Sequence, residues 1–185
     1  MTAQIGDKYK YNGKNYTIIT MSKKINFHPS DYGLKPRGIL TSCWNGYWCE
    51  YSISEDGIFL EDLYVYDIEG NYPKINGKEP IKQEMMGHKH YKKIHLPISY
   101  TGKILVGDNF LREYYVHMGY QQFYAYEKLI EFVFEDGKLI KTNNYSEVAK
   151  IARELLENDD SETIDIYKYT DEETIKKYKG KIWWL

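Results

Sequence analysis

Asn-Gly and Asp-Gly steps between β-prone segments are the feature that most constrains how this chain folds. Asn12-Gly13 separates residues 8–11 from residues 16–21, and Asp56-Gly57 and Asp136-Gly137 occupy similar positions further along the chain. These dipeptides adopt positive φ at low cost, which the tight turn of a two-residue hairpin requires. The sequence therefore predicts three antiparallel hairpins.

The predicted strands cover much of the first 143 residues. They are residues 8–11, 16–21, 46–54, 58–66, 91–99, 102–106, 114–118, 123–134 and 139–142. Length alone also allows a helix over 124–134, but its aromatic density and the Asp-Gly turn that follows favour a strand. Residues 28–38 and 70–90 are rich in Gly, Pro and polar residues and are predicted to be loops.

The pattern changes at Asn144, a predicted helix N-cap. Apolar residues then recur with the spacing of one helix face, at Val148, Ile151, Ala152, Leu155 and Leu156. A strand over 163–169, a helix from Thr170 to about Gly180 and an apolar end, Ile182 to Leu185, are predicted to follow. The fold class is α+β, with a mostly antiparallel sheet and helices concentrated in the C-terminal quarter.

The chain is predicted to form one domain over residues 1–185. A β-rich body, 1–143, carries a helix–strand–helix appendage, 144–185, packed on it. Two segments of the body, SISEDGIFL and FVFEDGKLI, are similar, and their Asp-Gly steps lie 80 residues apart (137 − 57). Duplication of a β-unit and chance recurrence of a common hairpin both remain open.

Charge and composition exclude several classes of partner. With 25 Lys+Arg against 27 Asp+Glu, the net charge of −2 gives no general attraction to nucleic acid or to an anionic membrane. No apolar run approaches the roughly 20 residues of a membrane span, and the first residues lack the apolar core of a signal peptide. We expect a cytoplasmic protein with free thiols at Cys43 and Cys49. No nucleotide-binding or hydrolase motif is present, so no cofactor is predicted.

Aromatic residues are the most unusual part of the composition, with 20 Tyr and 4 Trp. The densest stretch is CWNGYWCEY, residues 43–51, in which large rings surround a glycine. Such rings suit a rigid binding platform, and an upstream arginine could add a planar cation. The predicted binding residues are Arg37, Trp44, Asn45, Tyr47 and Trp48. The alternative is that the tryptophans anchor the core.

Two histidine-containing segments could provide a metal site or a catalytic site. The spacing of His88, His90 and His95 could hold a metal ion. The positive charge of the lysines among them would oppose binding of a cation. A solvated basic loop is therefore favoured, and no metal site is predicted. If Gly119 bends the chain, His117 and Glu127 converge as acid and base. An ordinary sheet edge is the alternative interpretation of that stretch.

The favoured function is an intracellular binding module that uses an aromatic surface. Its partner would be another protein or a small molecule, as for an inhibitor or a sensor protein. The second hypothesis is a small enzyme with an acid/base site at His117 and Glu127.

Overall fold

The computed structural model describes residues 3–117 and 121–157, which form a curved sheet with one α-helix packed on it. The strands are β1 Lys8–Tyr11, β2 Lys14–Met21, β3 Tyr47–Ser54, β4 Gly57–Val65, β5 Pro80–Met85, β6 His88–Tyr91, β7 Leu96–Ile98, β8 Gly102–Phe110, β9 Tyr126–Glu135 and β10 Lys138–Asn144. The helix, α1, is Ser146–Glu157, and short 3-10 turns span Pro29–Tyr32, Arg112–Tyr114 and Phe123–Ala125.

The sheet has the strand order β10-β9-β8-β2-β1-β3-β4-β6-β5, and β7 pairs with β4 beside β6. Every strand pair in the described residues is antiparallel except β1 with β3, which is parallel. The coarse features of the predicted fold class are thus confirmed: the fold is sheet-rich and mostly antiparallel, with a helix near the C-terminus.

All three predicted hairpins are confirmed, as β1–β2, β3–β4 and β9–β10. In the first, Asn12 and Gly13 have φ values of 48° and 76°, as a type I′ turn requires. The two Asp-Gly turns touch, since a Cβ added at Gly57 would overlap the carbonyl oxygen of Gly137. β4 and β10 therefore approach each other, and the sheet curls back on itself.

Residues 70–90 were predicted to be a loop, and this is wrong for their second half. β5 and β6 form a hairpin whose turn residues, Met86 and Gly87, have φ values of 54° and 80°. This turn lacks the Asn or Asp that usually marks such a conformation, so no local pattern predicts it. The predicted strand at 91–99 is instead divided, because Lys93 and His95 also have positive φ.

The predicted strand at 114–118 is also wrong over its described residues, and strand β9 begins later than expected. β8 extends to Phe110, which pairs with Tyr126. Residues 111–125 therefore connect two paired strands at the end of their ladder, and 3-10 turns occupy parts of this connection.

Two hydrophobic clusters lie on opposite faces of the sheet. The inner face holds the main core, which includes Tyr9, Tyr51, Leu60, Leu63, Ile104, Phe132 and Phe134. On the outer face, Leu105, Phe123 and Leu129 pack against Tyr145, Val148 and Ala149 at the start of α1. Successive residues alternate between faces in a strand, so Ile104 and Leu105 serve different clusters.

The first predicted C-terminal helix is confirmed by α1. The Tyr145 carbonyl accepts the first backbone bonds of the helix, so the N-cap lies one residue after the predicted Asn144. The Asn144 side chain accepts a hydrogen bond from the Ser146 backbone N–H at 2.9 Å. The predicted strand at 163–169, the helix from Thr170 and the apolar end from Ile182 lie outside the described residues. No helix in the described part of the chain is long and apolar enough to cross a membrane.

The loop before β3, which is part of the aromatic stretch 43–51, is held against the end of β4 by backbone hydrogen bonds. The Arg37 N–H donates to the Tyr66 carbonyl, and the Tyr66 N–H donates to the Gly46 carbonyl, each at 3.0 Å. Gly46 has a φ of 75°, and a Cβ added there would overlap the backbone of Arg37. Only glycine allows this close approach of the two segments.

We predict that Gly46→Ala destabilises the protein more than Gly77→Ala. The two glycines have nearly the same φ, 75° and 74°, but a Cβ at Gly77 has no atom within 4 Å. The difference therefore isolates the overlap with Arg37, and overpacking of this kind costs about 1–3 kcal/mol. Urea unfolding of both variants measures it, and equal losses would contradict the described packing.

Candidate functional site

A cavity of about 860 Å³ lies where β2 separates from β1. The β1–β2 ladder ends at the pair Lys8 and Thr17, and one further backbone bond joins the Ile18 N–H to the Asp7 carbonyl. The rest of β2 pairs with β8, through a register shift after Ile18. The space between the second half of β2 and the residues before β1 is left open, and its volume suits a drug-sized ligand.

The cavity wall is part apolar and part polar. Its apolar members are Ile5, Ile18, Ile19, Met21, Ile25 and Phe27. The polar side comes from Asp7 and from Asn45, Tyr47 and Tyr51, while exposed Lys24 and His28 also line the cavity. Apolar walls with a few convergent polar groups are typical of small-molecule sites.

Asp7 is a charged residue of this wall, and its carboxyl group is only partly hydrogen-bonded within the described protein. Its Oδ1 accepts a hydrogen bond from the Cys49 N–H at 2.8 Å, and its Oδ2 accepts none from the described residues. Burial raises the pKa of Asp7 to about 6, and the Cys49 N–H opposes the shift. A carboxylate in this state can accept a further hydrogen bond or pair with a cation.

Neutral groups surround Asp7 on the core side. The rings of Tyr9 and Tyr51 stack with centroids 5.0 Å apart, and the Cys49 thiol lies near the Tyr51 hydroxyl. The Tyr9 hydroxyl is buried without a hydrogen-bond partner among the described residues. Burial, followed by the nearby charge of Asp7, raises the pKa of Tyr9 and of Cys49 well above the ordinary values. Cys49 therefore remains a thiol near neutral pH and is a poor nucleophile.

The residues of the predicted aromatic site do not form a single surface in the structure. Asn45 and Tyr47 line the cavity, and exposed Arg37 lies beside Gly46 through its backbone. Trp44 is 58% exposed, whereas Trp48 is only 4% exposed. Both cysteines of this segment are free and buried.

Trp48 does not belong to an exposed surface, which favours the alternative that this ring anchors the core. Its ring stacks on Tyr64 with centroids 4.7 Å apart and also contacts His88. Its neighbour Cys49 faces the core, so strand alternation directs Trp48 to the opposite face of β3. That face is covered there by aromatic side chains of neighbouring strands.

The histidines lie on or near β6 rather than in a solvated loop. His88 is fully buried, and its Nδ1 donates to the Met86 carbonyl at 3.1 Å. Burial lowers the pKa of His88, so the ring stays neutral. His90 stacks on Tyr64, and its Nε2 lies 3.5 Å from Asp62 Oδ2.

His95 lies apart from these two rings. It stacks on Phe59, and its Nδ1 is 3.0 Å from a carboxylate oxygen of Glu61. In residues 3–117 and 121–157, no group of three or more His, Cys, Asp or Glu side chains could hold a metal ion.

The acid/base pair of the enzyme hypothesis gains no support from contacts. His117 is exposed near Tyr115, and exposed Glu127 accepts a hydrogen bond from the Asn109 side chain at 3.0 Å. No hydrogen bond or ion pair joins His117 to Glu127 within the described residues. Gly119, on which their convergence depends, lies outside them.

The chain matches no known protein family, no curated protein and no solved structure. The functional assignment therefore depends on the chemistry of the cavity. Asp7, its central residue, was missing from the predicted site. One signal was available, because period-two alternation from Tyr9 puts Asp7 on the same face of the sheet.

We predict opposite outcomes for the two tryptophans. Trp48→Ala removes a buried ring and should lower the free energy of unfolding by about 3–5 kcal/mol. Trp44→Ala removes an exposed ring and should change it by no more than about 0.5 kcal/mol. Urea unfolding of both variants provides the measurement, and similar losses would show that Trp44 is also structural.

We also predict a distinctive pH dependence from Asp7. Its folded pKa, about 6, lies above the ordinary value of 3.8, so the folded state binds the proton more tightly than the unfolded state. Stability should therefore rise relative to Asp7→Asn as the pH falls from 7 towards 4, and this gain should be absent above pH 7. Unfolding free energies of both proteins across this range measure the effect, and a constant difference would disprove the raised pKa.

Proposed function

We propose that the protein binds a small molecule in the cavity beside Asp7. The observation that carries the proposal is a carboxyl group with one free oxygen on the wall of a cavity of about 860 Å³. Asp7 is partly exposed on the cavity wall, so a bound ligand can supply the donor or positive charge that the described protein does not give its second oxygen.

The other wall residues support recognition of an amphipathic molecule. Ile18, Ile25 and Phe27 can contact an apolar ligand body, and removal of apolar surface from water drives such binding. Asn45 carries a donor and an acceptor that would fix the orientation of a polar group. This division of roles is the usual basis of specificity in small-molecule sites.

The chemistry of the groups around Asp7 favours binding over covalent catalysis. The raised pKa values of Cys49 and Tyr51 keep a thiol and a hydroxyl neutral beside the carboxyl. Neither supplies a ready nucleophile near neutral pH. A sensor or carrier protein requires only selective binding, which this wall can provide.

Protein binding through the exposed aromatic loop is a second candidate function. Trp44, Ile39 and Met86 are all more than 40% exposed. The segments that carry these three residues lie side by side. A Cβ added at Gly38, next to Ile39, would lie 2.6 Å from the Trp44 carbonyl oxygen, and a Cβ added at Gly87, next to Met86, would lie 3.0 Å from the Ile39 side chain. Exposed apolar side chains grouped in this way are typical of protein-interaction sites. The Trp44→Ala variant described above is the one that should lose a protein partner while staying folded.

We predict that filling the cavity abolishes ligand binding. Thr20 lines the cavity, so Thr20→Phe places a ring in the ligand space, whereas Thr142→Phe makes the same change at an exposed position on β10. A thermal-shift screen of small amphipathic compounds should find ligands that stabilise the wild type. At 100 times its Kd a ligand adds about 2.7 kcal/mol, which raises the Tm of a chain of this length by roughly 5–10 °C.

Thr142→Phe should retain this shift, and Thr20→Phe should lose it. The proposal fails if no compound stabilises the wild type. It also fails if the compounds that do so act equally on Thr20→Phe.

A further inference from the structure

Asp7 lies on the cavity wall without an ion-pair partner among the described residues. Asp7 is the only acidic residue of the described cavity wall, and no described Lys, Arg or His forms an ion pair with it. Its only side-chain hydrogen bond within the described protein comes from the Cys49 N–H. An ionised carboxylate in this position is stabilised most by a cation that enters with the ligand.

The free hydrogen-bonding capacity around Asp7 matches an ammonium group. An ammonium has three donors and no acceptor. Asp7 Oδ2 can accept one of them, and the Tyr51 hydroxyl on the same wall can accept another. The rings of Tyr47 and Tyr51 add aromatic surface, which attracts organic cations.

We propose that the ligand is an organic monoamine whose ammonium group pairs with Asp7 and whose apolar part contacts the β2 side of the cavity. This inference rests on the proposed function. The apolar part would lie against Ile18, Met21 and Ile25. A polyamine fits less well, because Lys24 on the same wall would repel a second positive charge. A carboxylate ligand would meet Asp7 with like charge.

Three probes of similar shape test the charge requirement. They are 2-phenylethylamine, 2-phenylethanol and 3-phenylpropanoate, and isothermal titration calorimetry at pH 7.5 measures their binding to the wild-type chain. We expect the amine to bind at least about tenfold more tightly than the alcohol, since hydrogen bonds between charged groups are the stronger ones. Asp7→Asn keeps an acceptor for the Cys49 N–H and should remove this preference. Thr20→Phe should remove binding of the amine altogether.

Proton release provides a second readout that a purely structural role of Asp7 would not produce. At pH 6, close to the raised pKa of Asp7, its carboxyl is partly protonated, and pairing with an ammonium should expel the proton. Calorimetry in buffers of different ionisation enthalpy should find net proton release on binding of the amine to the wild type.

The other titratable groups near Asp7 act as controls. Tyr9, Cys43, Cys49 and Tyr51 have raised pKa values and stay protonated at this pH. Lys24 and His28 on the cavity wall are common to the wild type and Asp7→Asn. The difference between the two proteins therefore belongs to Asp7.

The outcomes separate this inference from the proposed function. Equal affinity for amine and alcohol, tighter binding of 3-phenylpropanoate, or failure of all three probes overturns the amine assignment. The proposed function survives these results if the thermal-shift screen still finds a ligand sensitive to Thr20→Phe. An absence of any such ligand overturns both.

Discussion

The pairing of β1 with β3 is the interaction on which the rest of this structure depends. β1 has only four residues, yet it joins β2 on one side to β3 on the other and so connects the two halves of the sheet. The pairing is parallel and includes the stacked rings of Tyr9 and Tyr51. Two residue pairs before Tyr9 and Tyr51, it continues as the bond from the Cys49 N–H to Asp7. The geometry that builds the core therefore also fixes the carboxyl group of the cavity.

This arrangement has a cost for stability. A carboxyl with a pKa near 6 opposes folding at neutral pH, because its charged form is less well solvated in the folded state than in the unfolded one. An asparagine at this position would keep the bond to Cys49 without the charge. Residues that reduce stability in this way are concentrated at functional sites. The cost itself is thus an argument that Asp7 serves recognition.

Local chemistry explains which parts of the fold could be predicted. The Asn12-Gly13 turn and the two Asp-Gly turns depend on adjacent residues, so the sequence reveals them, and the periodicity of α1 does the same. The Met86-Gly87 turn uses the same backbone conformation without the usual side chain. Parallel pairing of β1 with β3 joins residues about forty positions apart, and no local pattern encodes it. Alternation from Tyr9 indicates the face on which Asp7 lies, but only the pairing with β3 brings it beside Cys49. Asn45 and Tyr47 belong to the aromatic stretch that the sequence itself marks.

The segment before β1 ties the cavity to the exposed aromatic loop. The Gln4 side chain accepts a hydrogen bond from the Trp44 N–H at 3.2 Å, and Asp7 accepts one from Cys49. Between these two bonds, Asn45 and Tyr47 line the cavity while Trp44 faces outward. A ligand at Asp7 and a protein partner at Trp44 would therefore contact opposite sides of one short loop. If either changes the conformation of that loop, thermodynamic linkage requires that each alters the affinity of the other by the same factor. A single loop with two such faces is what a sensor protein needs to convert ligand binding into a change in partner binding.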